Sequence, residues 1–92
     1  MEKVILNKVV RTKNDKTMLI FSQKVSEKSN NTKGYNEYTM WFDDLEVFEK
    51  LNQEDFGKVI DATLGYSQPN YMGQCSLEIK DLIINGKQIK LK

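Results

Sequence analysis

The sequence predicts a mainly β protein: five strands with one short helix between the third and fourth, and a C-terminal hairpin. Three observations carry this expectation. The apolar residues fall largely in short runs rich in β-branched side chains, with polar turn-like stretches between them. Only one stretch, "DDLEVFEKLN", changes to a helical period. Asn85-Gly86 stands between two short strand-like runs, a strong hairpin-turn signal. The 92 residues are read as one domain, and a hydrophobic fraction of 39% gives it an adequate but thin core.

The elements follow in order. Residues 3–12, "KVILNKVVRT", read as the first strand, and "KNDK" (13–16) as a tight turn centred on Asn14 and Asp15. "TMLIFSQKV" (17–25) is the second strand. "SEKSNNTKG" (26–34) has no apolar residue and closes on a glycine, as an exposed loop does. "YNEYTMWF" (35–42) is the third strand. In the helix, Leu45, Phe48 and Leu51 form an i, i+3, i+6 stripe. Asp43 stands three residues before Glu46 in the manner of a capping box, and the aspartate pair suits the positive end of the helix dipole. "GKVIDATLGYS" (57–67) is the fourth strand, "QPNYMGQ" (68–74) a loop, "CSLEIKDLII" (75–84) the fifth strand and "KQIKL" (87–91) a short closing strand.

Three strands, a short helix, then two more strands is the layout of the OB-fold, a small Greek-key barrel. With its aromatic-rich third strand, the chain resembles the OB-fold single-stranded DNA-binding proteins, above all the small ones of phages and other mobile elements. The resemblance covers nearly the whole chain and rests on element order and aromatic placement. It implies a role protecting or presenting single strands in replication, recombination or transfer. Such proteins often end in an acidic tail that recruits partners; this chain ends "KQIKLK", which is basic. The closing hairpin is instead expected to finish the barrel or to serve as a self-association contact. The same element order admits an SH3-like barrel, or an α+β sheet with one packed helix.

Composition argues against an enzyme. There is no histidine, which removes the commonest general base and metal ligand. Cys75, the single cysteine, has no such partner and reads as a small apolar strand residue. It also excludes an internal disulfide, so a reducing cytoplasm is the expected setting, with no leader and no membrane span. Asp43 and Asp44 diverge on an extended chain, so no metal site is expected. "GYSQPNYMG" lacks the spacing and the Lys-Ser/Thr pair of a phosphate loop. No cofactor is implied.

A single-strand-binding surface fits better. Proteins that hold single strands combine cations for the phosphates with aromatic rings on which bases stack. Net charge is only +1, but residues 1–34 carry eight Lys or Arg against three acids, a balance of +5. Residues 35–63 carry two Lys against eight acids, a balance of −6. In the third strand, Tyr38, Met40 and Phe42 form the more apolar face and are expected in the core with Phe21, Phe48 and Phe56. Tyr35, Glu37, Thr39 and Trp41 form the other face, with Trp41 open to a role as core filler or as platform. In the OB-fold the second and third strands and the 1–2 and 4–5 loops bind the ligand. By position, the resemblance then implies stacking by Tyr35, Trp41, Tyr66 and Tyr71. It implies phosphate contacts by Arg11, Lys13, Lys16, Lys28 and Lys33. Glu37 on the same face opposes a phosphate. The expected partner is a single strand of DNA, with RNA open on the same chemistry. The rival expectation is a protein-interaction module, such as a phage- or plasmid-encoded regulator or inhibitor, with the exposed aromatics as interface anchors.

Overall fold

The computed structural model describes residues 2–25 and 31–91. They form β1 (Glu2–Arg11), β2 (Thr17–Lys24), β3 (Tyr35–Phe42), α1 (Glu46–Lys50), a 3-10 turn (Gln53–Asp55), β4 (Val59–Tyr66), β5 (Leu77–Ile84) and β6 (Lys87–Lys90). All strand pairs are antiparallel, in one open sheet of order β3-β2-β1-β4-β5-β6. Within it, β4-β1-β2-β3 is the Greek-key order, because the chain returns through α1 to lay β4 beside β1. The mainly β architecture and the helix between β3 and β4 agree with the sequence.

The expected barrel closure is not present as a ladder. β3 and β6 are the two edges, and β6 extends the sheet as a sixth strand. The physical reason lies in β5. Its residues Asp81–Ile84 are paired with β6 through the Asn85-Gly86 turn, whose two residues take φ of +54° and +78°. The left-handed conformation that such a turn demands is the one asparagine and glycine adopt most readily.

Two irregularities curl the sheet. Between Leu6 and Lys8 the β1–β2 register shifts, and the inward parity passes from Val4 and Leu6 to Val9. The Leu6 carbonyl accepts the Gly57 N–H at 2.9 Å, which pins the 3-10 segment to the bulge. In β5 the inward parity passes from Ile79 to Leu82 and Ile84, leaving Lys80 as the extra residue. The Lys80 carbonyl accepts the Leu91 N–H at 2.8 Å, securing the end of the chain. The core inside the curl is built on Val4, Leu6, Leu19, Phe21, Met40, Ile60, Ala62, Ile79 and Leu82.

The helix departs from the sequence expectation. It has five residues, and its buried side chain is Val47, followed in the core by Leu51 one turn on. Phe48 is only half-buried and does not join the core cluster, whereas Phe42 and Phe56 pack against it. A helix this short cannot sustain a two-turn stripe, so one i, i+4 pair decides which side faces inward. The capping box expected at Asp43 and Glu46 is absent too. The Asp44 carboxylate, not that of Asp43, accepts the Glu46 N–H at 3.1 Å. A true capping box forms downstream between Asn52 and Asp55.

Candidate nucleic-acid interface

The alternation of β3 divides its aromatics between two faces. Met40 is buried, and the Tyr38 ring stacks on Phe21, its cross-strand partner, with centroids 5.3 Å apart. Phe42 packs inward beside them. Tyr35 and Trp41 point outward and are 60% and 59% exposed, with Glu37 and Thr39 between them. Six residue steps along the strand separate the two rings' backbone positions, or about 20 Å.

Register carries this outer face across three strands. Trp41 is opposite Met18, and Met18 opposite Val10, giving an apolar row at one end. Thr39 is opposite Ile20, and Ile20 opposite Lys8. Ile20 is only 9% exposed yet lies outside the inner core cluster, so the outer face has apolar ground of its own. At the other end Tyr35 is opposite Lys24.

Lys8 and Lys24 are exposed cations on the same face as both rings, and the sequence reading missed them. Lys24 was within reach: it alternates with Met18, Ile20 and Ser22, away from Leu19 and Phe21. The orientation of Lys8 was hidden by the bulge that reverses the parity of β1. Among the expected cations, Arg11 is held by Asp15 through two hydrogen bonds of 2.9 and 3.1 Å. Lys16 lies 3.9 Å from Asp43. Lys13 and Lys33 are exposed and make no ion pair among the described residues, while Lys28 lies outside the described residues. On the face itself Asn7 Nδ2 donates to Ser22 Oγ at 2.7 Å and more weakly to Glu37 at 3.4 Å.

The other two tyrosines do not join this face. Tyr66 continues the inward parity of Ile60, Ala62 and Leu64 and emerges, 71% exposed, at the open end of the inner side. There it borders an open cleft of about 470 Å³ with Gln23, Tyr38, Gly65 and Leu77. Tyr71 is 95% exposed at the tip of the β4–β5 loop. That loop is braced by the Asn70 side chain, which accepts the N–H groups of Met72 and Gln74, and by Ser67 and Ser76. The four expected platform aromatics therefore occupy three places.

Among the described residues no group of three or more Cys, Asp and Glu side chains is arranged to hold a metal. No described helix is long and apolar enough to cross a membrane. No known protein family matches the sequence, and neither a curated protein nor a solved structure is significantly similar to the chain.

Proposed function

We propose that the protein is a non-enzymatic binder of single-stranded DNA, largely indifferent to sequence, and that its outer β1–β2–β3 face is the binding surface. One observation carries the reading: Tyr35 and Trp41 stand more than half exposed on one face, with Lys24 opposite Tyr35 and Lys8 two strands away on the same face. A thin core has every reason to bury a tryptophan, so leaving it outside has a cost that ligand stacking explains. The Greek-key order and the unclosed approach of β3 to β5 also suit an OB-fold, which is itself a partly open barrel. The OB-fold assignment, and a setting in replication, recombination or transfer of a phage or mobile element, belong to this proposal.

Titration with oligo-dT, followed by quenching of Trp41 fluorescence, tests it. Saturable quenching that weakens as salt rises supports the reading, because phosphate contacts release counterions. Absence of binding at low salt overturns it. A second reading, a protein-interaction module, draws on Tyr71 and Met72, which a braced loop presents to solvent. Loss of partner capture in Tyr71→Ala, with an oligo-dT titration that stays flat, is the result that favours it.

A further inference from the structure

Between Tyr35 and the first strand the outer face holds a small slot of about 110 Å³, lined chiefly by Tyr35, Ser22, Lys24, Lys3, Ile5 and Val59. Its walls come from four strands, and the register explains how they meet: Tyr35 is opposite Lys24, Ser22 opposite Ile5, and Ile5 opposite Val59. Val59 is a branched apolar residue left 62% exposed at its edge. The volume admits one ring, well below the roughly 300–1,000 Å³ of a pocket for a drug-sized ligand. Two amines stand on the rim, Lys24 and Lys3, the latter ion-paired with Asp61.

We infer that the outer face grips a single strand at two points: one nucleobase seated in the slot beside Tyr35, and a second stacked on Trp41. This rests on the nucleic-acid reading above and adds a footprint to it. Apolar walls and a tyrosine suit the flat base, and the rim amines suit its phosphate. The anchors are about 20 Å apart. A stacked strand advances about 3.4 Å per nucleotide and a splayed one roughly twice that, so about three to six steps, or roughly four to seven nucleotides counting both seated bases, span them. Glu37 lies between the anchors and turns the intervening phosphates away, so the middle of the strand contributes little.

Fluorescence anisotropy of labelled dT6 at low salt tests the inference, with unlabelled variants as competitors. Val59→Leu fills the slot at an exposed position without changing charge, and a circular-dichroism melt verifies its fold. Tyr35→Ala and Trp41→Ala each weaken binding about tenfold. Val59→Leu adds nothing to Tyr35→Ala, because both abolish one subsite, but it multiplies the effect of Trp41→Ala. A dT6 made abasic at its two central nucleotides competes within about threefold of dT6, whereas one abasic at both ends loses about tenfold or more. Equal losses from central and terminal abasic positions, or full multiplication of Val59→Leu with Tyr35→Ala, overturn the two-point grip while leaving single-strand binding intact. A flat titration with dT6 and with longer oligo-dT overturns the function itself.

Discussion

The backbone N–H of Ile79 in β5 donates to the thioether of Met40 in β3 at 3.2 Å. It is a contact between strands that share no ladder. Three groups on the side of β5 away from β4 are satisfied in three different ways. β6 takes Asp81–Ile84, Leu91 takes the Lys80 carbonyl, and a side chain takes the Ile79 N–H. Met40 thus fills the core and caps the seam at once. Met40→Leu keeps the volume and strands a buried N–H; a sulfur acceptor is weak, so the expected cost is about 1 kcal/mol. Met40→Ala adds a cavity and is expected to cost about 2–5 kcal/mol. Thermal melts should show a drop of about 4–8 °C for the first variant and a much larger one for the second.

Glu37 is the anion on a face proposed to meet phosphates, and it accepts a long 3.4 Å hydrogen bond there from Asn7. Glu37→Gln keeps that bond and removes the charge. It should raise affinity for oligo-dT a few-fold at low salt, with the gain shrinking as salt screens it. Glu37→Lys should go further and steepen the slope of log affinity against log salt by about one. A titration series from low to moderate salt reads both. Unchanged affinity in both variants places the strand elsewhere.

Asp15 holds Arg11 and sits at φ +57°, so it serves both the turn and the ion pair. Asp15→Gly relieves the left-handed backbone and gives up an exposed pair worth about 0–1 kcal/mol. The two effects oppose, and stability should stay within about 1 kcal/mol of the parent. Arg11 is released toward solvent, and affinity for a single strand should rise at low salt if Arg11 lies on the path of the backbone. A chemical-denaturation midpoint and an anisotropy titration on the same protein separate the two consequences.

Strands and faces were legible in the sequence because they depend on local alternation. Tyr38, Met40 and Phe42 inward, with Tyr35 and Trp41 outward, follow from period two once one face is known to be buried. What was not legible depends on register across strands. The parity reversal at Asn7 turns Lys8 onto the outer face, and the slot beside Tyr35 exists only because Ser22, Ile5 and Val59 come into line. Grouping Tyr66 with the 4–5 loop could not say which side of the sheet it would reach; its own strand's run of Ile60, Ala62 and Leu64 could, and it points inward.

The helix region makes the same distinction testable. Asp43 had the spacing of a capping residue, yet its side chain is fully exposed, with Lys16 3.9 Å away. Asp55, in an unremarkable polar run, is 3% exposed, and its Oδ2 accepts the Asn52 N–H at 2.8 Å. The reciprocal bond from the Asp55 N–H to Asn52 closes the box, and the Leu6–Gly57 bond beside it ties the segment to β1. Asp55→Ala therefore removes a charge-assisted acceptor and strands a donor at a partly buried site, at an expected cost of about 1–3 kcal/mol. Asp43→Ala should leave the melting temperature unchanged. Asp55→Asn retains an acceptor without the charge and should recover part of the loss. Equal melting temperatures for Asp55→Ala and Asp43→Ala would mean that the segment is held by Leu51 and Phe56 alone, with the box contributing nothing.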